Sequence, residues 1–221
     1  MPRRRYKRIR YRRDNSDRIR LYIIGGIVLA ALIIGIVLIV ALAAGKYKDS
    51  TDDKDKDEKA KLETNAVLPV NQLIERYYEA KKSCDATALM SLIYPSMVID
   101  EDELKLEAEL VEDYQNVVCY TLPGLNEDSY VVWVEFEYKF RGIDKEAPAL
   151  NRMYVVKSTE TDEYQIYASP DEKMLEHMEK LSKNEDVKEL SEKIEKRLNR
   201  ALEADENLMS FYKQLIHNKE R

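Results

Sequence analysis

A stretch of 24 residues without a single charged side chain, residues 21–44 ("LYIIGGIVLAALIIGIVLIVALAA"), constrains this chain more than any other feature. As an α-helix rising about 1.5 Å per residue, it would be about 36 Å long, enough to cross a hydrocarbon core of roughly 30 Å. Ala41-Leu42-Ala43 would suit a signal-peptide cleavage site, but the apolar part of such peptides is only about 7–15 residues long. Backbone groups inside a bilayer must be satisfied within the segment. We therefore predict an uncleaved transmembrane helix over residues 21–44.

The charge distribution predicts the orientation of this span. Residues 1–20 carry ten basic and two acidic side chains, a net charge of +8, whereas the whole chain carries −6. Lys and Arg beside a span stay in the cytoplasm. We therefore expect a single-pass protein of the cell membrane, with a basic cytoplasmic arm over 1–20 and residues 45–221 outside the cell.

The basic arm also predicts a membrane partner. Each Lys or Arg close to an anionic leaflet gains about 1 kcal/mol, so contact with lipid accounts for the arm. Tyr6 and Tyr11 stand between the arginines, as in some nucleic-acid-binding segments. Because contact with lipid already accounts for the arm, these tyrosines do not require a nucleic acid, and we predict no nucleic-acid partner.

The rest of the chain divides into three parts. Residues 45–61 hold six lysines, six acidic residues and almost no apolar side chain, which is typical of a segment that cannot form a core. We predict a charged linker over 45–67, a folded domain over 68–168 and a helical tail over 169–221.

The folded domain begins with helical patterns and continues with strands. Pro69 suits the first turn of one helix, Asp85 is a plausible cap for a second, and residues 100–110 form a short acidic third. Strands are expected over 114–122, 130–140, 152–158 and 163–169. The fold class is therefore α+β, and the connection 141–151 is predicted to form a lid or crossing loop.

The central strand alternates clearly. Its even-numbered positions are all apolar or aromatic and should face the core: Tyr130, Val132, Val134, Phe136, Tyr138 and Phe140. Trp133, Glu135 and Glu137 should point the other way.

The segments "NQLIERYYEAKKSCDATALMSLI" (71–93), "YQNVVCYTLPG", "SYVVWVEFEYKFRG" and "NRMYVVKS" together resemble the NTF2-like superfamily of cone-shaped α+β domains. The resemblance covers about residues 68–168 and implies a curved antiparallel sheet packed on the N-terminal helices. The whole layout also resembles membrane-anchored extracytoplasmic proteins of Gram-positive, clostridia-like bacteria. Inner-membrane scaffold subunits of type IV secretion systems are similar in layout, with a short tail, one span and an NTF2-like domain outside.

Catalysis is not expected. Catalytic members of the superfamily use an Asp or His base inside the cone, and a base must reach its proton within hydrogen-bond distance. The only histidines, His177 and His217, fall in the tail, and the even face of 130–140 has no carboxylate. No phosphate loop, calcium loop or metal-ligand cluster is present in the sequence, so we expect no cofactor and no metal site. Cys84 and Cys119 fit either a disulfide or two buried thiols.

Two functions remain. The first is a non-catalytic interaction or scaffold module of the cell envelope, binding a protein partner or a second copy of itself. Its contact surface would use Trp133, Leu190, Ile194 and Leu198, unless these side chains pack on the protein's own sheet. The alternative is an extracytoplasmic small-ligand sensor or carrier. Its aromatic pocket would be lined by Tyr77, Tyr120, Tyr138 and Tyr154.

Overall fold

The structure, a computed structural model, describes residues 60–95 and 98–219. The predicted basic arm, the predicted span and most of the predicted linker lie outside the described residues. Within the described ranges, none of the helices has the length and apolar character needed to cross a membrane.

The described part of the chain is an α+β domain with six helices around a six-stranded sheet, which confirms the predicted class. The helices are α1 (Leu68–Lys82), α2 (Ala86–Leu92), α3 (Glu101–Leu110), α4 (Glu172–Leu181), α5 (Glu185–Ala204) and α6 (Glu206–Lys219). The strands are β1 (Glu63–Thr64), β2 (Ile93–Tyr94), β3 (Val111–Pro123), β4 (Ser129–Phe140), β5 (Ala147–Lys157) and β6 (Tyr164–Tyr167).

Aspartate side chains start most of the helices. Asp85 accepts a hydrogen bond from the backbone of Ala88 at 2.9 Å, which confirms the predicted cap, and Asp205 accepts one from Leu208 at 3.0 Å. Such bonds satisfy amide donors that the first helical turn leaves without partners. The first helix of the tail is capped by Asp171, whose side chain accepts from the backbone of Met174.

The strand order is β1-β3-β4-β5-β6-β2. Strands β3 to β6 form an antiparallel meander, but β2 pairs with β6 in parallel, so the predicted antiparallel sheet is in fact mixed. The parallel pair brings the rings of Tyr94 and Tyr167 to 5.7 Å from each other. At the other edge, β1 pairs with β3, so the last residues assigned to the linker belong to the sheet.

The predicted lid over 141–151 is wrong in its second half. Strand β5 begins at Ala147, and Ala147, Ala149 and Leu150 are buried within it. Only residues 141–146 form the connection, which Lys139 closes by donating to the carbonyls of Ile143 and Asp144. Small alternating side chains around Pro148 hid this strand from the sequence pattern.

Helices cover both faces of the sheet. The face that carries the even-numbered residues of β4, the even face, packs against α1, the end of α5 and α6, where the ring of Phe211 lies 4.7 Å from that of Phe140. The opposite or odd face packs against α4 and the first part of α5. The sheet is therefore the middle layer of three, with a core on each side.

The turn between β3 and β4 leaves no room for a side chain at Gly124. A Cβ atom added there would collide with Ser129 Oγ and lie 2.8 Å from Tyr154 Oη. We expect Gly124→Ala to lower the free energy of unfolding by about 1–3 kcal/mol, as overpacking does. Urea unfolding of the full chain in detergent, followed by the fluorescence of its single tryptophan, measures the loss. Gly124→Ala should cost less stability when Ser129 is also replaced by Ala, because the colliding Oγ is then absent. Strictly additive losses would contradict this account.

Candidate functional site

The four tyrosines predicted to line one pocket lie on two different faces of the sheet. Tyr138 holds an even position of β4, and Tyr77 reaches the same core from α1. Tyr120 pairs directly with Trp133, and Tyr154 pairs with Val131, so these two belong to the odd face. Residues directly opposite each other in a sheet point to the same side. The prediction of one pocket lined by all four is therefore wrong.

Aromatic rings fill the even face rather than lining an open space. Tyr138 is only 4% exposed and its ring stacks on that of Phe140 at 5.2 Å between centroids. Tyr78 lies 4.8 Å from Phe136 and 5.1 Å from Tyr114. These separations are those of rings in direct contact. The aromatic residues of the even face thus form a packed core.

A charged pair lies at the edge of this aromatic core. Lys81 Nζ is 2.7 Å from Glu107 Oε1, and the Tyr114 hydroxyl donates to the same oxygen at 2.6 Å. The ammonium also lies over the rings of Tyr114 and Tyr77, 5.4 Å and 5.8 Å from their centroids. The side chains of Lys81 and Glu107 are 14% and 10% exposed. We call Lys81, Glu107 and Tyr114 the buried polar triad.

Three separate elements assemble the triad. Lys81 lies on the apolar side of α1, one turn beyond Tyr77, and Glu107 lies on the buried side of α3, one turn beyond Leu104. In β3 the register shifts between Gln115 and Val118, and Asn116 has a φ of 54°. This bulge changes the alternation and turns Tyr114 toward the even face.

Electrostatics keep Tyr114 protonated and Lys81 charged. Burial raises the pKa of Tyr114, and the neighbouring Glu107 carboxylate raises it further, so the hydroxyl remains a donor. Burial alone would lower the pKa of Lys81, but the adjacent Tyr77 and Glu107 outweigh it and raise the pKa above its usual value. Lys81 therefore stays charged and paired.

The triad corrects one expectation. The sequence predicted no internal base because the even face of residues 130–140 has no carboxylate, yet α3 brings Glu107 to the edge of the even-face core. Two features pointed to this pair: a lysine at a position of the apolar stripe of α1, and a glutamate three residues from both Leu104 and Leu110. Because Lys81 and Tyr114 both donate to the carboxylate of Glu107, the triad links α1, α3 and β3.

A second polar cluster lies on the odd face. Glu135 is 7% exposed, accepts from the Tyr120 hydroxyl at 2.9 Å and pairs with Lys193 at 3.4 Å. Arg197 forms ion pairs with both Glu135 and Glu137. Burial and then the bond to Glu135 raise the pKa of Tyr120 to about 12. The two glutamates do point away from the even face, as predicted, but α5 covers them.

The residues predicted as an interaction surface are buried. Trp133 and Ile194 are 0% exposed, and Leu190 and Leu198 are 6% and 2% exposed. Trp133, Leu190 and Ile194 lie together in the odd-face core, whereas Leu198 joins the even-face core. The apolar stripe of α5 thus packs on the protein's own sheet, which corrects the expectation of an exposed surface. The opposite side of α5 is exposed and charged.

The two cysteines are free and lie in different clusters. Cys119 is buried in the even-face core, and burial raises the pKa of its thiol to about 12. Cys84 is half-buried, with its thiol 3.6 Å from the carbonyl oxygen of Leu104. This arrangement corresponds to the two-thiol alternative.

This difference predicts selective thiol chemistry. Because the thiolate is the reactive form, a disulfide reagent at pH 8 should modify Cys84 and leave Cys119 unmodified until the domain unfolds. Counting modified thiols by mass, with and without denaturant, measures it. A Cys84→Ser chain that still reacts under native conditions would contradict the placement of Cys119.

Neither a metal centre nor a known family defines a site. In the described part of the chain, no group of three His, Cys, Asp or Glu side chains is placed to hold a metal ion. His177 lies in α4, where its ring nitrogen contacts the carbonyl of Pro123 at 3.1 Å. No family model matches the chain, and no curated protein or solved structure is significantly similar to it.

Proposed function

We propose that this chain is a non-catalytic interaction or scaffold module of the cell envelope, anchored by residues 21–44 with the described domain outside the cell. The anchor and its orientation rest on the uncharged segment and on the +8 arm that precedes it. The domain is a rigid three-layer body presented by a charged linker.

One observation carries the proposal. The aromatic residues that would line a ligand pocket are divided between two packed cores, and each core is closed by the protein's own helices. The outer side of α5 is exposed and charged. This packing of the aromatic residues argues against enclosure of a small molecule, because ligand sites are concave spaces lined by such side chains.

The element order supports the NTF2-like interpretation in part. Three helices precede a four-stranded antiparallel meander, and α1 packs on one face of the sheet. The short tail, single span and outer domain of type IV secretion scaffold subunits remain the architecture that this chain resembles. Under this proposal, such a domain serves as a spacer and a docking body.

The alternative function, a small-ligand sensor or carrier, would need space on a single face. Tyr77 and Tyr138 both lie on the even face beside the triad, so this alternative places its ligand there. It predicts that Tyr138→Ala abolishes ligand binding rather than only lowering stability.

Topology tests the proposed function first. The full chain, tagged at its N-terminus, is expressed in a bacterial membrane, and protease is added to intact cells stripped of their wall. We expect residues 45–221 to be degraded while the tagged arm is protected, and we expect the arm to be lost only after lysis. Protection of the domain in intact cells would contradict an extracytoplasmic scaffold.

A further inference from the structure

Helix α6 is held to the domain differently from the other five helices that the structure describes. Each of those five has a polar group that bonds to another element: Lys81 in α1, the carbonyl of Ser91 in α2, Glu107 in α3, Glu179 in α4 and Arg197 in α5. In α6, the side chains of residues 206–216 make no hydrogen bond or ion pair with another element of the described domain. Along its length, therefore, apolar packing alone holds these side chains to the domain.

This apolar packing is small for a helix of 14 residues. Of residues 206–216, only Leu208 and Leu215 are buried, at 1% and 3% exposed, while Phe211 and Tyr212 are half-buried. Helix α5, by comparison, buries six side chains. Segments with few buried apolar contacts open at a lower free energy than the domain as a whole. Helix α6 is therefore the element whose opening costs least among those that cover the even face.

One carboxylate fastens the start of α6. Asp205, which lies between α5 and α6 with φ −139° and ψ 110°, accepts hydrogen bonds from the backbone amides of Asn207 at 2.9 Å and Leu208 at 3.0 Å. It also accepts one from the amide of Lys145 at 3.2 Å, in the connection between β4 and β5. The amide of Leu208, together with that of Lys145, lowers the pKa of Asp205, so the side chain is ionised at neutral pH. Asp205 thus caps α6 and ties its start to the sheet.

We propose that α6 is a hinged lid, which lifts from the even face about Asp205 as a unit while the rest of the domain stays folded. The three layers remain in place, because α1 and the end of α5 still cover this face. An isolated helix of this length is marginal in water, so the lifted helix also unwinds. The inference concerns the domain alone and does not depend on the proposed function.

The lid lies at the end of a continuous series of aromatic rings. Phe211 is 4.7 Å from Phe140, Phe140 is 5.2 Å from Tyr138, and Tyr138 is 5.6 Å from Tyr114 of the triad, measured between ring centroids. Lifting α6 removes Phe211 and brings solvent to Phe140, one ring away from Tyr138. The lid therefore controls access to the end of the even face that adjoins the triad.

Hydrogen exchange of the full chain in detergent micelles, followed by mass spectrometry of peptic peptides, measures the opening. After correction for intrinsic rates, we expect the amides of α6 to be protected about a hundredfold less than those of β4, since local opening costs less free energy than global unfolding. Equal protection of α6 and β4 would mean that α6 opens only together with the whole domain, and it would overturn the inference.

Two cap variants separate the lid from the rest of the domain. Asp205→Ala removes the bonds to Leu208 and Lys145, so the protection of α6 should fall about tenfold. Asp171→Ala is the matched control, because it removes the corresponding cap of α4, the bond from the amide of Met174. It should lower the protection of β4 but leave that of α6 unchanged, since α4 is folded both before and after the lid lifts. A fall in α6 protection as large in Asp171→Ala as in Asp205→Ala would overturn the inference, as would no fall in Asp205→Ala.

Limited proteolysis with chymotrypsin gives an independent readout. Phe211 and Tyr212 are cleavage sites that the enzyme reaches once α6 has lifted and unwound, because proteolysis of this kind requires an opened segment. Trp133 lies in the opposite core and reports whether the domain remains folded. We expect cleavage after these two residues while the fluorescence of Trp133 keeps its folded value. Cleavage there only when this fluorescence changes would overturn the lid.

Discussion

Replacing Lys81 with Met lowers the free energy of unfolding by about 3–5 kcal/mol. The substitution keeps the apolar stem and removes the charge that pairs with Glu107 at 2.7 Å. The carboxylate is then left nearly buried with only the Tyr114 hydroxyl as a donor, and an uncompensated buried charge costs about this much. Chemical denaturation of the full chain in detergent, followed by the fluorescence of Trp133, measures the loss.

Replacing Glu107 and Tyr114 in addition to Lys81 recovers most of the lost stability. In Lys81→Met/Glu107→Leu no buried charge remains, and adding Tyr114→Phe removes the hydroxyl that would lack an acceptor. Apolar replacement of a whole buried pair is often neutral or stabilising. A triple variant as unstable as Lys81→Met alone would contradict the triad as described.

The neighbouring lysine of α1 provides a comparison. In Lys82→Met, where the lysine is exposed and pairs with Asp113, a large loss at neutral pH is not expected. That variant is the matched control.

Replacing Trp133 with Ala has the second large effect, a loss of about 3–5 kcal/mol. Trp133 is completely buried at the centre of the odd face, where α4 and α5 cover it. Removing it leaves a cavity between the sheet and the helical layer, and such truncations of large aromatic side chains cost this amount. Thermal unfolding followed by circular dichroism measures it, since the variant has no tryptophan to observe.

Trp133→Phe provides the comparison. The indole nitrogen has no hydrogen-bond partner among the described residues, so losing it should cost little, and the smaller ring fills most of the space. We expect a loss well below that of Trp133→Ala. An alanine variant with unchanged stability would mean that Trp133 is not covered by the helices.

The helices and their starts were predictable because their signals are local. Pro69 and Asp85 act within one turn of their own positions, and the alternation of β4 repeats within a single strand. Strand register depends on pairing between strands, and the sequence of one strand does not specify it. Tyr120 and Tyr154 were therefore assigned to the wrong face, since their partners in β4 could not be known.

The buried polar triad depends on three long-range relations at once. Glu107 stands in an acidic run that suggests a solvated helix, and only the packing of α3 against the domain buries it. Tyr114 reaches it because of the bulge at Asn116, which ordinary alternation does not predict. In the helical tail, the apolar stripe of α5 was identified from the sequence, but the surface that it contacts proved to be the chain's own sheet.

Native mass spectrometry of the full chain, released from detergent micelles, tests the central claim most directly. If the domain is an interaction module with two closed cores, the observed masses correspond to the chain or its multiples, with no added small molecule. A stoichiometric additional mass of a few hundred daltons, present in the unaltered chain and absent from Tyr138→Ala, would contradict this account and identify the even face as a ligand site.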